Sequence, residues 1–435
     1  MEAAEKVEST APVAMMVAAD QLIRSQKDML ARPGPHSFNS RIAGRILARF
    51  SRETTSGRFI PEMDGLRFVA IAMVILFHLN GYLAAKSGAS LAPGAQSGWL
   101  AQVALVGFRG VELFFVISGF ILGLPFAAHY LHHAPPVLLK KYYLRRLTRL
   151  EPPYFVTVLA LFVLALCIQG KTAAHLYPHL AASLLYLHNL VYGASSPVIG
   201  VAWSLEIEVQ FYLLVPLLTL MFRIRDRWVR RASLVGLSLA LQAAQALYFH
   251  GPRLSLSILA YLQFFLVGFF LADLFLTDWR EIPSRNLWWD VMSVAGWPVL
   301  LVGLHFDRLA LWSFPYLVLL LYCAAFRGLI TNFFFTNRWI TAIGGMCYSI
   351  YLIHFEVISL AGRLTRRIAG HQPYWFYLLV QLALVGAAIL LICGLYFVLL
   401  EKPCMRRDWP QRLRSFLGQL LRSRRELLAE GQGLD

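Results

Sequence analysis

The sequence has 435 residues, of which 58% are hydrophobic and only 15% are charged, and its mean hydropathy is +0.58. These values exclude an ordinary water-soluble domain of this length. The formal net charge of +16 comes from Lys and Arg clusters between apolar runs. That distribution is typical of cytoplasmic loops of membrane proteins and argues against a nucleic-acid partner.

Residues 1–57 are predicted to be a cytoplasmic N-terminal extension. Within them, the stretch RIAGRILARFSR places Arg41, Arg45, Arg49 and Arg52 on one helical face and apolar residues on another. The pattern is typical of a basic amphipathic helix lying on an anionic membrane surface. A solvated linker fits the same residues equally well.

Ten apolar runs follow that are long enough to cross about 30 Å of hydrocarbon. They lie near residues 66–84, 104–126, 152–169, 205–222, 232–249, 255–276, 288–304, 309–326, 339–361 and 375–400. The sequence therefore predicts an all-α integral membrane protein, a bundle of about ten transmembrane helices, over residues 58–405. A short cytoplasmic tail, residues 406–435, completes the chain.

The basic clusters between these runs can all be cytoplasmic if both termini are cytoplasmic. One further apolar run, residues 176–193, would reverse the later loops if it crossed the membrane. We therefore expect this run to be a re-entrant or interfacial helix on the outer side.

The first run, RFVAIAMVILFHLN, carries two ionisable residues, Arg67 and His78. Eleven residues of helix bring them to within about 20° of each other on one face, with His78 roughly 16 Å further along and Asp64 about 40° away. A histidine on such a polar stripe is a natural general base near neutral pH. A histidine that only bonds a neighbouring helix explains the same residue as well.

The stretch KKYYLRRLTRLEPPY places Arg145, Arg146 and Arg149 just ahead of two prolines. Because proline opens helices readily, we expect the third spanning helix to begin at Pro152, with the arginines at its cytoplasmic entrance. Arginines beside a helix N-terminus are suited to bind phosphate. A cytoplasmic loop is, however, expected to be basic in any case.

The stretch WSLEIEVQFYLLVP contains Glu206 and Glu208, which point about 200° apart on a helix, so that at most one can face a shared cavity. Ser204 and Tyr212 lie on the same face as Glu208. A glutamate that merely complements the helix dipole is the simpler interpretation.

Three further candidates lie in other apolar stretches. Ser118, in GVELFFVISGFILGLPF, would need an adjacent base to act as a nucleophile, and packing explains it better. His354 lies in CYSIYLIHF, inside a predicted spanning helix, and Glu401 lies in LEKP at a cytoplasmic helix end.

Taken together, these stretches resemble the acyltransferase family 3 membrane proteins, which O-acylate bacterial surface polysaccharides, lipooligosaccharides and some secreted small molecules. The matching stretches, in order over about residues 60–405, are EMDGLRFVAIAMVILFH, GVELFFVISGFI, RRLTRLEPPY, WSLEIEVQFYLLVP, YSIYLIH and LEKP. The family fold of about ten spanning helices is similar to the number predicted above.

The resemblance implies a role for each matched residue. His78 is the expected catalytic base, Arg67 is its motif partner, and Asp64 belongs to the same motif. The acyl-CoA phosphates are expected to contact Arg145, Arg146 and Arg149. Of the two glutamates, Glu208 is the one that matches the family position.

Two departures from the family pattern are visible. Glu112 stands where the family usually has Asp, and only about thirty polar residues follow Pro403 where some members carry an esterase-like domain. If such an activity is needed, we expect a separate partner to supply it.

The resemblance implies an enzyme that moves an acyl group, expected to be acetyl, from cytoplasmic acyl-CoA to a hydroxyl of a carbohydrate, glycolipid or secreted small molecule. Acyl-CoA is a co-substrate, and neither a tightly bound cofactor nor a metal is expected. The expected location is the inner (plasma) membrane, which the chain crosses several times.

The rival hypothesis is a proton-coupled transporter or permease for a sugar or a lipid-linked sugar, because a polar stripe through a helix bundle also resembles a solute path. Against it, no inverted repeat is apparent, and the arginine motif has no evident task in carrying a neutral solute. Whether CoA binds separates the two hypotheses.

Overall fold

The computed structural model describes residues 49–50, 52, 59–86, 98–168, 170–248, 251–302 and 308–406, together with six single positions between 408 and 419. The chain divides into two units, Met1–Arg49 and Phe50–Asp435, and the description below concerns the second unit. Most of the predicted amphipathic helix, residues 41–48 and 51, lies outside the described residues.

Across the described ranges the regular elements are helices, without a strand, as the apolar composition predicts. Apolar segments in lipid satisfy their own backbone hydrogen bonds as helices. The longer helices are α1 (Pro61–Lys86), α2 (Trp99–Val106), α3 (Gly110–His132), α4 (Leu139–Ile168), α5 (Ala173–Leu184), α6 (His188–Tyr192), α7 (Trp203–Leu218), α8 (Arg227–Tyr248), α9 (Leu262–Thr277), α10 (Leu287–Val302), α11 (Arg308–Arg327), α12 (Ile330–Phe335), α13 (Arg338–Gly345), α14 (Cys347–Thr365) and α15 (Tyr374–Tyr396).

Five segments among the described residues are long and apolar enough to cross a membrane: Pro61–Lys86, Trp99–His132, Leu139–Ile168, Gly200–Arg223 and Tyr374–Cys404. Helices α13 and α14 make a sixth if they count as one span, although they meet at an angle of 71°. Helix α9 and parts of α10 and α11 are apolar but shorter. A membrane protein is therefore supported, whereas the predicted number of ten spanning helices is not confirmed.

The centre of the bundle is the close packing of α3 against α9. A side chain at Gly119 would overlap the backbone of Phe265, and one at Gly268 would overlap the backbone of Val116. Small residues at such contacts let two helix backbones approach closely in a membrane. The ring of Phe211 on α7 stacks on Phe265 with centroids 3.9 Å apart, which holds α7 beside the same pair.

Helix α4 corrects the predicted start of the third spanning helix. It begins at Leu139 and continues through Pro152 and Pro153 to Ile168. Side-chain hydroxyls bond backbone carbonyls at the prolines: Tyr348 donates to Leu150 over 2.8 Å and Tyr396 donates to Pro153 over 2.6 Å. The carbonyls that lose their N–H partners are those of Thr148 and Arg149, four residues before each proline. The two tyrosine bonds therefore attach this part of α4 to α14 and α15 and do not replace the lost bonds.

The arginine motif of α4 therefore lies within a helix and not at its N-terminus. Arg145, Arg146 and Arg149 come six or more residues after the first residue of α4. The prediction of a helix N-terminal phosphate site at these arginines was wrong in this respect. Any anion site here must be made by side chains.

Residues 176–193 form no single long helix. Helices α5 and α6 are separated by a break at Tyr186, whose φ of 56° lies in the left-handed region. Neither helix is among the candidate membrane spans. A non-crossing segment, as predicted for this run, is consistent with these lengths.

Candidate functional site

The first polar group, here called the arginine–carboxylate cluster, consists of Arg52, Asp64, Arg67, Arg149 and Glu401. Asp64 lies in the first turn of α1, and its side chain is only 3% exposed. One of its oxygens accepts hydrogen bonds from Nη1 of Arg67 and, over 3.3 Å, from Nη1 of Arg52. Two guanidinium groups thus share one carboxylate.

Close helix packing holds Asp64 in this position. Gly344, near the end of α13, lies against the backbone of α1, and a side chain there would overlap the carbonyl of Asp64. The two helices therefore approach as closely as backbones allow. The position of the Asp64 carboxylate depends on that contact.

Glu401 brings the C-terminal end of the α15 region to the same cluster. It lies in a π-helical turn, Phe397–Glu401, that continues α15. Its Oε2 accepts hydrogen bonds from the Ser349 backbone N–H over 3.0 Å and the Ser349 hydroxyl over 2.5 Å, while its buried Oε1 has no partner among the described residues. Glu401 also interacts electrostatically with Arg149 and Arg52.

Arg52 is the member of the cluster that precedes the first predicted spanning helix. Its side chain is 15% exposed. Burial and the charges of Arg149 and Arg67 lower the pKa of Arg52 to about 9, while the Asp64 carboxylate acts in the opposite direction. The guanidinium is therefore still charged at pH 7.

Glu208 joins this cluster to the centre of the bundle. Its Oε1 accepts a hydrogen bond from the Ser118 hydroxyl on α3 over 2.5 Å. The carboxylate also interacts electrostatically with Arg67, Arg146 and Tyr212. Glu208 of α7 therefore bonds Ser118 of α3 directly and is close enough to Arg67 of α1 and Arg146 of α4 to act on their charges.

The arginines of α4 differ in their surroundings. The Arg146 guanidinium carbon lies 4.6 Å from the centre of the Tyr142 ring, at a distance suited to cation–π attraction. Tyr142 in turn donates to the carbonyl of Tyr212 over 3.2 Å. Arg145 is also partly buried on the same helix.

Glu206 takes no part in this arrangement, as the predicted 200° separation requires. It is 1% exposed, and its Oε2 accepts from the backbone N–H of Asn189 over 2.8 Å. Ser204 instead lies 3.0 Å from the Tyr351 hydroxyl, which also donates to the carbonyl of Val201 over 2.5 Å. Glu206 therefore secures the segment around α6 to the start of α7.

The second polar group, here called the histidine pair, is formed by His78 of α1 and His354 of α14. Their ring centroids are 5.1 Å apart. Phe77 and Phe355 contact the His78 ring edge-on at 5.1 and 5.4 Å. At 1.5 Å per residue, His78 lies about 16 Å further along α1 than Arg67.

The hydrogen bonds of His354 define its tautomer. Nδ1 contacts two backbone carbonyls, those of Ile350 at 2.9 Å and Tyr351 at 3.0 Å. A carbonyl only accepts, so Nδ1 carries the proton and Nε2 of the neutral ring presents a lone pair. Nε2 is buried without a partner among the described residues.

The candidate residues thus divide into two groups at different positions along α1. Charged groups meet at one position, where cations outnumber neighbouring carboxylates, and could hold an anion. At the other position the imidazole rings of the histidine pair lie among aromatic rings. An imidazole can be neutral near pH 7, so these rings could accept and return a proton.

Two contacts of the site could not have been identified from local sequence. Arg52 had been assigned only to the face of an amphipathic helix, and Ser349 had no assigned role. The stretch CYSIYLIHF was the available signal for Ser349 and Tyr351, but hydroxyl groups alone do not identify their partners on α15 and α7.

Comparisons with known proteins identify the family of the chain. A family model described as an acyltransferase domain matches residues 60–397. A Listeria monocytogenes protein named peptidoglycan O-acetyltransferase OatA is 26% identical over 396 residues, which make up 83% of this chain and 58% of that protein. A Staphylococcus aureus protein named O-acetyltransferase OatA is 24% identical over 351 residues, or 74% of this chain and 54% of that protein.

The chain therefore spans little more than half the length of these curated relatives. No solved structure matches it. The site is accordingly interpreted from its own geometry.

Proposed function

The chain belongs to the acyltransferase family whose model matches residues 60–397, and from this premise we propose that it is a membrane O-acyltransferase. The donor is acyl-CoA, expected to be acetyl-CoA, and the acceptor is a hydroxyl of a carbohydrate or glycolipid. The observation that carries the proposal is the hydrogen bond between the motif residues Ser118 and Glu208, with Arg67 and Arg146 near enough to act electrostatically on the same carboxylate.

In this proposal the arginines of α4 and Arg67 bind the phosphates of acyl-CoA and so position the donor. Arg146 and Arg67 both interact with the Glu208 carboxylate, and Arg149 interacts with Glu401. Guanidinium groups bind phosphate oxygens through planar, charge-assisted hydrogen bonds. The arginine side chains bind the phosphates without the N-terminus of α4, because that N-terminus lies several residues away.

The transfer step uses His78 as a general base. The imidazole takes the proton of the acceptor hydroxyl as that oxygen attacks the thioester carbonyl carbon. The carbon–sulfur bond breaks, the acyl ester forms, and the CoA thiolate receives the proton from the imidazolium. His354 lies beside His78 and can receive a hydrogen bond from it through Nε2.

The membrane arrangement completes the proposal. Helix α8 and the shorter apolar helices α9, α10 and α11 cross the membrane together with the six longer candidate spans, giving about ten crossings with both termini cytoplasmic. The arginine–carboxylate cluster then faces the cytoplasm, where acyl-CoA is found, and the histidine pair lies towards the outer side of the inner membrane.

The name of one relative supports the choice of acceptor. The Listeria protein is named for O-acetylation of peptidoglycan, a polymer that lies outside the cytoplasmic membrane. An outward-facing carbohydrate acceptor suits the position of His78 on α1.

The experiment that tests this function is acetyl-CoA binding and CoA release by the purified full chain in lipid nanodiscs. We expect wild type to bind acetyl-CoA and to release CoA faster when a polysaccharide or glycolipid acceptor is added. The Arg145→Ala/Arg149→Ala double variant should bind it more weakly. Arg253→Ala, which changes an exposed arginine bonded to the Val191 carbonyl, is the matched control.

A well-folded wild-type sample that binds neither acetyl-CoA nor longer acyl-CoAs contradicts the proposal. The transporter hypothesis would then be preferred, and proton-coupled uptake of a sugar into proteoliposomes would be the next measurement.

A further inference from the structure

We propose that Arg52, which precedes the region matched by the family model, completes a phosphate-binding site with Arg67 and Arg149. This inference rests on the proposed function, because the phosphate is assigned to the acyl-CoA donor. The arginine motif of α4 alone would not include Arg52.

The charges of the arginine–carboxylate cluster do not balance. When the neighbours Arg146 and Glu208 are counted with the cluster, four guanidinium groups accompany three carboxylates, and one positive charge is left over. The Arg52 group is close enough to Arg149 and Arg67 to be repelled by both. Burying like charges together is unfavourable unless a counter-charge is present, and a bound anion would provide it.

Unused hydrogen-bond donors point to the same conclusion. The Nε atoms of Arg52 and Arg149 are buried, and neither has a hydrogen-bond partner among the described residues. A buried donor on a charged group is costly to leave unpaired. Two guanidinium Nε–H groups from different segments are suited to the several acceptor oxygens of one phosphate.

The segment that carries Arg52 is seated on the membrane domain. The Phe50 ring packs against α15 where Gly394 provides space, with its edge 3.1 Å from the position a Cβ would take there. The Arg52 side chain begins beside Gly345, at the junction of α13 and α14. Both contacts keep Arg52 next to the cluster.

The phosphate could belong to the donor or to an anionic lipid headgroup, since the chemistry is the same. Its assignment to the donor follows from the position of Arg149, which lies on the α4 motif proposed to bind acyl-CoA. The experiment separates the two sources.

The experiment measures binding of three probes to the purified full chain in nanodiscs of phosphatidylcholine. The probes are acetyl-CoA, acetyl-dephospho-CoA, which lacks the ribose phosphate, and acetyl-pantetheine, which has no phosphate. We expect Arg52→Gln to weaken acetyl-CoA binding about 10- to 100-fold, as loss of a charged hydrogen bond does. Acetyl-pantetheine binding should be unchanged.

Two further variants keep the result specific. Phe50→Ala, which loosens the segment without removing a charge, should produce a smaller loss with the same dependence on phosphate. Arg285→Gln is the matched control, because Arg285 also pairs with an acidic residue in the first turn of α1, Glu62, at 3.7 Å. We expect it to bind all three probes as wild type does.

Equal affinity of wild type and Arg52→Gln for acetyl-CoA would overturn the inference while leaving the proposed function intact. So would an equal loss for all three probes, because Arg52 would then act without contacting phosphate. Repetition in nanodiscs containing phosphatidylglycerol tests the other source. The site would be reassigned to lipid if two results were found together. Phosphatidylglycerol would weaken acetyl-CoA binding to wild type but not to Arg52→Gln, and the two proteins would bind acetyl-CoA equally well without that lipid. Absence of acetyl-CoA binding in wild type would instead refute the proposed function.

Discussion

The arginine–carboxylate cluster and the histidine pair both include side chains of α1, yet they solve opposite electrostatic problems. In the cluster, Arg67 and Arg52 remain charged because Asp64 is held beside them. In the histidine pair, the His78 ring contacts the rings of Phe77 and Phe355 as well as that of His354. One end of α1 is therefore organised around fixed charge, and a position about 16 Å away around groups that can be neutral.

The difference shows how one helix, α1, can contribute both to ligand binding and to chemistry. Fixed guanidinium charge suits a permanently charged part of a ligand, such as a phosphate, and is not consumed in a reaction. Imidazole in apolar surroundings suits a proton that must be taken up and returned. Binding and chemistry are thus expected to respond to different substitutions, which the following predictions test.

The largest effect is expected for His78→Ala. Loss of a general base typically lowers the rate about 10²- to 10⁴-fold, so transfer to the acceptor should fall by that amount with acetyl-CoA affinity unchanged. Radiolabelled acetyl transfer and equilibrium binding measure the two quantities. His129→Ala, on α3 and bonded to the Ala134 carbonyl, is the control. A His78→Ala variant that transfers at the wild-type rate would remove the catalytic role of the histidine pair.

Arg149→Ala should have the opposite effect, with weaker acetyl-CoA binding and a nearly unchanged transfer rate. Losing a charged hydrogen bond costs about 1.5–3 kcal/mol, so acetyl-CoA affinity should fall roughly 10- to 100-fold while the rate at saturating donor changes little. Measurement of KM and kcat with varied acetyl-CoA checks this. A fall in kcat alone would mean that the cluster and the histidine pair act as one site.

Gly344→Ala should reduce the stability of the folded protein, because it disturbs the contact between α13 and the start of α1. A Cβ there overlaps the carbonyl of Asp64, and overpacking of this kind costs about 1–3 kcal/mol. The midpoint of thermal unfolding in detergent is the measurement. Gly386→Ala, where the new methyl group would meet open space, is the matched control. Equal midpoints for the two variants would show that α13 and α1 tolerate separation.

Ser118→Ala separates direct transfer from a covalent intermediate. Ser118 has a carboxylate base beside it, Glu208 at 2.5 Å, so an acyl-serine is chemically conceivable. In the direct route it loses only a hydrogen bond to Glu208, worth roughly 1–2 kcal/mol, and activity should fall no more than about 30-fold. Ser233→Ala, an exposed serine, is the control. If Ser118→Ala abolished transfer and an acetylated Ser118 peptide were recovered from trapped wild type, the direct route would be rejected in favour of an acyl-serine intermediate.

The smallest effect concerns a different pair of histidines, on α5 and α6, whose rings are hydrogen-bonded and not only stacked. Nδ1 of His179 lies 2.9 Å from Nε2 of His188. Burial lowers the pKa of His188 below its usual 6.5, the charge of His179 acts in the same direction, and the bond to Ala194 opposes both. The unfolded chain therefore binds more protons just below pH 6.5, and stability falls as pH decreases there.

The corresponding measurement is the unfolding midpoint between pH 7 and pH 5 for wild type and His188→Gln. The variant should lose less stability on acidification than wild type does. His132→Gln, at an exposed position at the end of α3, should behave as wild type does. Parallel pH curves for wild type and His188→Gln would contradict the proposed proton linkage.

Local sequence predicted the site better where spacing within one helix was sufficient. The relation of Arg67 to His78 and the divergence of Glu206 from Glu208 follow from 3.6 residues per turn. The start of α4 was mispredicted, because the helix continues through Pro152 and Pro153, where the hydroxyls of Tyr348 and Tyr396 attach it to α14 and α15. Those tyrosines lie about 200 residues later in the chain, beyond any local pattern.

The sequence by itself determined the helical membrane class, the family and the residue types available for chemistry, since apolar run length and ordered motifs are local properties. Only the tertiary structure decided which of these residues meet. Ser118 reaches Glu208 because α3, α7 and α9 pack through glycine and phenylalanine contacts, and Arg52 reaches Asp64 because its segment rests on α14 and α15. Such pairings depend on helix packing distances and angles, which no single stretch of sequence contains.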